Sequence, residues 1–512
     1  MSDGVPFQNI PSTLRTPLFY AEVSNSQANT GQQQQTALII GQMLAGGAAT
    51  PGVATPAVAS DGVYQCGAGS QIDLMIRSYR RNDPYGPLWI LPLDDDGTAT
   101  AASGGFVFTG AATAAGTIYA YVGQQLVTVA VIVGMTAAQV ATALYTAINA
   151  LGALPVTATN GTPGTTTVAA KNKGLVGNDI QLAVNLLGYQ ANQVVPTGLA
   201  VTITVMSGGA VNPSLTTALA GLGDRPFDFI ASPYTDATSI TAIGALLNDT
   251  AGRWSWNEQV YGHHFTAFRG TFGALTTEGA GLNDPHLTMM GAPASAPDTM
   301  MEWAAAIAGE VAVSVRADPA LPLQTLVLQG IGSPATADLF TLSERESLLY
   351  GGISTFTVDA AGAVAISLLI TTYQRNAFGQ ADDSYLHVET LFTLMSVLRS
   401  MAGIVTSKFA CSKLAADGTR FAPGSNIVTP STIKATIVAA YRDLEFQGLV
   451  QGSDVFAANL IVVQNPTNPN RVDVLWPAIL INQLNIFALL AQFRLSPTQF
   501  APSATDASAS LA

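Results

Sequence analysis

The four histidines are the residues of this chain best suited to acid–base or metal chemistry. His263 and His264 are adjacent. Neighbouring side chains on a strand point to opposite faces of a sheet, so these two cannot chelate one ion. His286 follows Asp284 and a proline in a predicted loop. We interpret these three and His387 as structural, and we predict no catalytic residue and no metal site.

Motifs that position phosphates, metals or nucleophiles are missing. The sequence has no G-x-x-x-x-G-K-[ST], G-x-G-x-x-G, H-E-x-x-H, C-x-x-C or G-x-S-x-G pattern. The run Asp94-Asp95-Asp96-Gly97 is superficially similar to a calcium loop, but the glutamate that closes such a loop is absent. We interpret it as an acidic turn. The sequence therefore predicts neither a cofactor nor an enzymatic activity.

Two cysteines, Cys66 and Cys411, are too few for a disulfide framework or a zinc site. One long-range bridge is an open alternative. We predict instead two unpaired, buried thiols in a reducing compartment.

Charge is scarce and unevenly distributed. Residues 97–170 contain no Asp, Glu, Lys, Arg or His, and charged residues make up 10% of the whole chain. The net charge of −13 argues against nucleic-acid binding. A folded protein with so few surface charges either covers that surface with neighbours or stays soluble through charges elsewhere. The composition indicates a subunit of a large assembly.

One uncharged stretch, residues 474–493, has the length of a membrane span. It contains a proline and four Asn or Gln residues, which fit hydrocarbon poorly, so we predict a buried strand or helix and no membrane insertion. The first residues lack a basic region followed by an apolar core, so no secretory signal is expected.

Turn residues and changes in the spacing of apolar residues divide the chain into six segments. Together they predict an α/β plus α+β multidomain fold. The segments are an extended N-terminal arm (1–35), the first part of a core α/β domain (36–96), a β-rich insertion with one helix (97–205), the rest of the α/β core (206–334), a C-terminal domain with a terminal strand arm (335–498) and a flexible tail (499–512).

Hydrophobic periodicity predicts the main elements of these segments. Strands are expected at 18–23, 36–41, 88–93, 117–122, 126–133, 166–170, 180–185, 200–206, 227–232, 264–269, 287–291, 323–329, 352–359, 363–372 and 460–464. Helices are expected at 237–247, 300–313, 385–403, from 429 through 444, behind a capping box at Thr136 and Gln139, and behind a second box at Ser343 and Glu346. Strands that alternate with helices after residue 213 predict a parallel sheet.

Several residue runs, taken in order, resemble the contractile tail sheath proteins of Mu-like bacteriophages. They are IPSTLRTPLFY at 10–20, GTIY at 116–119, GMTAA at 134–138, AINA at 147–150, GNDI at 177–180, GGI at 351–353, AVAI at 363–366, TTY at 371–373 and NRV at 470–472. The resemblance extends over nearly the full length.

This resemblance implies a virion tail subunit, assembled in the host cytoplasm, that stacks in hexameric rings around a tail tube and contracts to drive the tube through the host envelope. The implied partners are other copies of the chain, the tail tube protein, and baseplate and tail terminator proteins. It also implies a subtilisin-like middle domain, an insertion that projects outward and a C-terminal domain that faces the tube. No Gly-Thr-Ser-Met-Ala-like serine motif is present, so proteolysis is not carried over.

The sequence leaves other classes open. A pyocin-like or secretion device is the nearest alternative. A subtilisin-like hydrolase would need a catalytic serine motif, and a secreted adhesin would need an export signal.

The terminal strands cannot hold themselves in place on a single subunit. Ordering six residues costs roughly 6–12 kcal/mol of backbone entropy, whereas burying three alternate apolar side chains returns about 4.5–9 kcal/mol. We therefore predict strand exchange between subunits. The residues expected to take part are Leu18, Phe19, Tyr20, Val23, Val474, Ile479 and Ile481.

Contact with the tube is expected at Lys408, Lys413 and Arg420, because residues 335–512 hold ten of the twenty Lys and Arg residues. Contraction would need no nucleotide, since a trapped extended packing can relax to a lower-energy packing of the same domains.

Overall fold

The computed structural model describes residues 35–422 and 424–493 in two compact units. Within the described residues, the first unit comprises 35–318 and 325–391, and the second comprises 319–324 and 392–493.

The first unit begins with two strands of a parallel sheet and the helix between them. The elements are β1 (Ala37–Gln42), β2 (Thr55–Pro56), α1 (Val63–Cys66), α2 (Gln71–Asn82) and β3 (Leu88–Leu93). The predicted strands at 36–41 and 88–93 are confirmed. Helix α2 was not predicted. It begins after Ser70, whose hydroxyl accepts a hydrogen bond from the Asp73 N–H (3.1 Å).

The insertion follows as a small β-rich body with one helix. Its elements are β4 (Ser103–Gly110), β5 (Gly116–Val122), β6 (Gln125–Val131), α3 (Ala137–Ala150), β7 (Val156–Thr162), β8 (Thr165–Ala170), β9 (Leu182–Val184) and β10 (Leu199–Ser207). The capping box of Thr136 and Gln139 at the start of α3 is confirmed. At the base of the body, Thr100 and Ala210 exchange backbone hydrogen bonds in both directions (3.1 and 3.2 Å), so the chain enters and leaves through one neck.

The insertion contains two antiparallel sheets, in the orders β10-β4-β8-β7 and β6-β5-β9. Strands β4 and β7 escaped prediction because glycines and threonines dominate their sequences and weaken the alternating pattern. Both sheets and α3 share one apolar core, which includes Phe106, Ile118, Val129, Leu144 and Val168.

Strands and helices alternate in the next segment. They are α4 (Thr216–Ala220), β11 (Phe229–Ala231), α5 (Ala237–Leu247), β12 (His263–Arg269), α6 (Phe272–Ala280), β13 (Leu287–Ala292) and α7 (Met300–Ala317). The predicted parallel sheet is confirmed, with strand order β13-β12-β11-β1-β3 and the short β2 added antiparallel to β3. In chain order these five parallel strands have the 2-1-3-4-5 arrangement of doubly wound folds.

Helices α2 and α7 pack closely together. A Cβ at Gly309 of α7 would lie 2.8 Å from the Tyr79 carbonyl of α2, so glycine permits this approach. Ser78 Oγ also donates to the Glu302 carbonyl (2.7 Å). These contacts give the α/β core a helical layer that is buried along most of α7.

The first unit ends with α8 (Leu342–Tyr350) and a hairpin of β14 (Thr355–Val358) and β15 (Val364–Leu368), as predicted for the hairpin. Two expectations nearby are wrong. The capping box joins Thr341 to Glu344, because that hydroxyl and carboxylate reach each other's backbone N–H groups. The expected strand at 323–329 is reduced to a single bridge from Val327 to Ala365, since Thr325 has a left-handed backbone with φ 61°.

The second unit contains most of α9 (Val388–Phe409). It continues with β16 (Lys413–Leu414), β17 (Ile427–Val428), α10 (Pro430–Phe446), β18 (Val450–Gln451), α11 (Ser453–Asn459), β19 (Ile461–Gln464), β20 (Val472–Leu475) and β21 (Ile479–Leu480). Its core centres on Tyr441 and Phe456, whose rings stack with centroids 3.7 Å apart, and Trp476 meets both edge-on.

By length and composition alone, α9 is the one helix in the described ranges that could cross a membrane. Core helices pass the same test, and Phe392, Met395 and Val397 of α9 are buried within the protein. The first half of α9 therefore belongs to the core, whereas residues 402–408 are largely exposed.

Both cysteines are free thiols, as predicted, but their burial differs. Cys66 is buried, and this burial, with the nearby Asp73 charge as a second cause, raises its pKa to about 12. Cys411 is exposed, so the expectation of two buried thiols is wrong there. It follows the C-terminal end of α9, where the chain leaves the core.

Candidate assembly surfaces

Three histidines lie inside the parallel sheet or beside it, each with a hydrogen-bond partner. His264 Nε2 and Ser232 Oγ are 2.8 Å apart, and His263 Nε2 and Thr288 Oγ1 are 2.8 Å apart. Burial lowers the pKa of His264 to about 3, so its imidazole is neutral. The Ser232–His264 pair is shaped like a nucleophile and its base, but both side chains are buried and no substrate can reach them.

The remaining polar clusters also lack metal chemistry. His286 Nε2 contacts Asp249 Oδ1 at 2.8 Å, and its ring stacks on Trp254 with centroids 4.6 Å apart. Within residues 35–422 and 424–493, no group of three His, Cys, Asp or Glu residues is arranged to hold a metal ion.

The crevice where doubly wound folds bind ligands is filled by the insertion. That crevice opens at the carboxyl ends of the strands where their order reverses, which here is between β1 and β11. Gln42, at the end of β1, donates through Nε2 to Asp95 Oδ1 (2.6 Å) and to the Lys173 carbonyl (2.8 Å). Asn172 donates through Nδ2 to the Met43 carbonyl (2.9 Å).

A second buried glutamine, Gln71, belongs to the same set of contacts. We name Gln42, Gln71, Asn172 and Lys173 the polar plug. The Gln71 Nε2 donates to Gln42 Oε1 (2.6 Å), and the Gln71 backbone N–H donates to Asn172 Oδ1 (3.1 Å). All three amide side chains are buried. Sequence reasoning missed these residues. The sequence signal was Asn172, a polar residue flanked by Lys171 and Lys173, the first charged residues after the uncharged run.

A second set of contacts joins the insertion to the carboxyl end of β12. Arg269, the last residue of β12, donates through Nε to Asp179 Oδ1 (2.5 Å) and through Nη2 to the Asp298 carbonyl (2.5 Å). The other oxygen of Asp179 accepts the Met300 N–H (2.5 Å) at the start of α7. Burial raises the pKa of Asp179, whereas the Arg269 charge opposes that shift.

Asp298 extends this junction to a loop of the insertion. Its Oδ2 accepts hydrogen bonds from the Gly332 N–H (2.6 Å) and from Gln124 Nε2. Burial, with the Glu302 charge as the second cause, raises the pKa of Asp298 to about 7. We name Gln124, Asp179, Arg269, Asp298 and Glu302 the carboxylate clasp. The insertion is thus fastened to the core at two places, the plug and the clasp.

The predicted C-terminal exchange residues pair within their own unit. Val474 lies on β20, which pairs with β19, and Ile479 lies on β21 opposite Gln451. The Ile481 N–H donates to the Leu449 carbonyl (3.1 Å). In the described ranges each of these short strands pairs with one neighbouring strand, and the Leu480 carbonyl of β21 also accepts a hydrogen bond from Gln451 Nε2 (3.1 Å).

The segment beyond these strands contradicts the expectation that residues 474–493 are buried. Residues 481–493 form no helix or strand, and large apolar side chains there are exposed. The exposed fractions are 83% for Ile486, 79% for Phe487, 84% for Leu490 and 84% for Phe493. Within the described residues, the core of the second unit around Tyr441 does not include this segment.

The three predicted tube-contact residues are exposed in the second unit. Lys408 lies in the last turn of α9, Lys413 begins β16, and Arg420 lies in the connection between β16 and β17. The structure places all three at the surface within thirteen positions of sequence, which leaves them available to a partner. Leu18, Phe19, Tyr20 and Val23 lie outside the described residues.

Comparison with known proteins gives one consistent result. Residues 208–372 match the family model of the phage tail sheath protein central domain, and residues 380–494 match that of the phage tail sheath C-terminal domain. The Mu-like prophage FluMu tail sheath protein of Haemophilus influenzae is 39% identical over 495 residues, which cover 96% of this chain and 100% of the relative.

Two solved structures are also similar over most of their length. The sheath tail protein of Desulfitobacterium hafniense covers 92% of this chain and 97% of its own, with 13% identity and a TM-score of 0.46. The helical sheath of the anti-feeding prophage in its contracted state covers 95% of this chain and 100% of its own, with 11% identity and a TM-score of 0.44. On the two family models and the FluMu relative, the chain belongs to the phage tail sheath protein family and is a structural protein, not an enzyme.

Proposed function

We propose that this chain polymerises as stacked hexameric rings around a tail tube and contracts to drive the tube through a host envelope. The exposed apolar segment at 481–493 is the observation that carries the proposal. Side chains such as Phe487 and Leu490 each stabilise a structure by about 1.5–3 kcal/mol when buried. A neighbouring copy that covers them supplies burial that the described residues of one chain do not provide.

Strand exchange is the proposed form of this contact. Among the described residues, β20 and β21 each pair with one strand only, and the edge of such a two-stranded sheet can accept the backbone groups of an added strand. Leu18, Phe19, Tyr20 and Val23 of an adjoining copy are the proposed strand, and Val474, Ile479 and Ile481 lie where it would be received.

Lys408, Lys413 and Arg420 are the proposed contacts to an acidic tail tube, because all three are exposed in one unit. Baseplate and tail terminator proteins are the proposed partners at the sheath ends, and the bacterial cytoplasm is the proposed place of assembly. The six segment boundaries, the outward position of the insertion and the closer likeness of the α/β core to subtilisin also remain predictions. A pyocin-like device is the second candidate.

Electron microscopy of the purified full chain tests the proposal. We expect tubes or rings from the wild-type protein and none from a variant with Ile486→Ser, Phe487→Ser and Leu490→Ser, because each change removes apolar burial at the contact. A matched control replaces Asn482 and Gln492, two exposed polar residues of the same stretch, by Ser and should polymerise normally. Normal tubes from the triple variant would contradict the proposal.

A further inference from the structure

The insertion carries an ordered apolar loop, residues 185–197, between β9 and β10. Gln193 is buried at its centre, where Nε2 donates to the Tyr121 hydroxyl (2.5 Å) and Oε1 accepts the Leu187 N–H (3.0 Å). The Gln193 N–H also donates to the Gly188 carbonyl (3.1 Å). These bonds fix the loop without help from its exposed side chains.

Two residues of the loop adopt the left-handed backbone that side chains disfavour. Asn185 has φ 56° and Asn192 has φ 57°. Asparagine adopts this conformation more readily than other residues that carry a side chain, so both positions suit the turns of the loop. Together with the Gln193 hydrogen bonds, these turns define one conformation for the loop.

Several side chains that the loop exposes to solvent are large and apolar. Tyr189 is 84% exposed, Leu187 is 62% exposed, and Val194 is 49% exposed. Tyrosine is among the residues that dominate binding at protein interfaces, because it offers a large rigid surface with few rotatable bonds. A rigid loop that displays Tyr and Leu resembles the preorganised centre of such an interface.

The charge of the chain indicates what covers the loop. A copy of this chain carries −13, so two copies repel each other wherever their acidic surfaces meet. Residues 97–205 contain only Lys171, Lys173 and Asp179 as charged residues, and Asp179 is paired with Arg269 inside the carboxylate clasp. The insertion is therefore the part of the molecule where like-charged copies can approach at the least electrostatic cost.

We propose that the 185–197 loop is a contact between insertions of neighbouring copies, with Tyr189 and Leu187 at its centre. This inference rests on the proposed self-assembly but names a different surface from the terminal strands. It adds a contact through the insertion to the contacts made through the second unit.

The test compares full-length wild-type protein with the variant Leu187→Ser/Tyr189→Ser, using Gln190→Ser in the same loop as the matched control. Sedimentation measures the lowest protein concentration at which polymer forms, and circular dichroism with thermal unfolding checks that each variant is folded. We expect the double variant to need a roughly tenfold or higher concentration than wild type, and the control to match wild type.

The outcomes separate this inference from the proposed function. Wild-type polymer together with an unchanged threshold in the folded double variant overturns the inference and leaves the proposed function standing. If the folded wild-type protein forms no polymer at any concentration, both are overturned. Should the double variant unfold, Leu187→Asn/Tyr189→Gln replaces it, because these longer polar side chains remove the apolar surface with a smaller change in size, and the same threshold decides.

Discussion

Asp298 shows how a single buried carboxyl can set the pH response of a domain junction. In the folded chain its pKa is raised to about 7, whereas the unfolded value lies near 3.8. The folded state therefore binds the proton more tightly. The stability from this group is fully present below about pH 4 and is lost as the pH rises through about 7.

Replacing Asp298 by Asn should raise stability at pH 8 by on the order of 1–3 kcal/mol, because the buried charge is removed. The amide oxygen can still accept the Gly332 and Gln124 hydrogen bonds that Oδ2 accepts now. Calorimetric melting temperatures between pH 5 and pH 8 measure the effect, and the variant should show a flatter pH dependence. The exposed Asp338→Asn is the control. If the melting temperatures of wild type and Asp298→Asn change with pH in parallel, this carboxyl is not the source of the pH dependence.

Capping residues illustrate what sequence can and cannot decide at this scale. The box at Thr136 and Gln139 has no competitor nearby and was predicted correctly. The run TLSERE at 341–346 contains two overlapping boxes, Thr341 with Glu344 and Ser343 with Glu346. The choice between them depends on where the preceding chain turns, and local sequence does not contain that information.

At the scale of elements, the two ends of the chain are expected to differ in their contribution to assembly. The N-terminal arm carries the strand-forming residues 18–23, whereas residues 499–512 are a predicted tail without such a pattern. Only the first is expected to contribute a strand to a neighbouring copy.

Deleting residues 1–30 should leave monomers, because the proposed added strand is lost. Deleting residues 499–512 is the matched truncation and should leave polymerisation intact. Analytical ultracentrifugation and negative-stain microscopy distinguish the two results. Polymer of normal length from the N-terminal truncation would refute strand exchange by that arm.

Elements with plain periodicity were predicted, and those with buried polar residues were not. Strands β1 and β3 are nearly continuous apolar runs, so they were found from sequence. Helix α2 was missed because Gln71, Asp73 and Ser78 lie on its buried side and disguise the apolar face. Those polar residues are buried because they bond to other parts of the fold, and such bonds cannot be read from local pattern.

For the whole molecule, the proposed contact with the tube depends on how charge is distributed along the chain. The net charge is −13, yet ten of the twenty basic residues lie in residues 335–512. Lys408, Lys413 and Arg420 lie in a stretch, 404–422, whose one acidic residue is Asp417, and such a locally basic stretch on an acidic protein can select an acidic partner.

Reversing the charge at Lys408, Lys413 and Arg420 to Glu should favour empty, contracted tubes over extended tails when the tube protein is present. The proposed reason is that tube contacts hold the extended packing. Negative-stain microscopy separates the two forms, and Arg442→Glu, an exposed charge in the same unit, is the control. Extended tails in normal numbers from the triple variant would show that these residues do not contact the tube.

The largest gap between sequence and structure is the attachment of the insertion. The family and the parallel sheet could be inferred from residue runs and from alternation of elements. The plug could not, since Gln42 and Lys173 are 131 positions apart and only the tertiary fold brings them together.

The neck at Thr100 and Ala210 has a practical consequence for protein engineering. Paired residues on antiparallel strands are about 5.5 Å apart at Cα, so a foreign domain with adjacent termini could be grafted between them in place of the native one. Such a chimaera would lose Asn172 and Lys173, and water would enter the opened cleft beside Gln42 and Gln71. A successful graft therefore has to bring its own amide or carbonyl groups to that cleft.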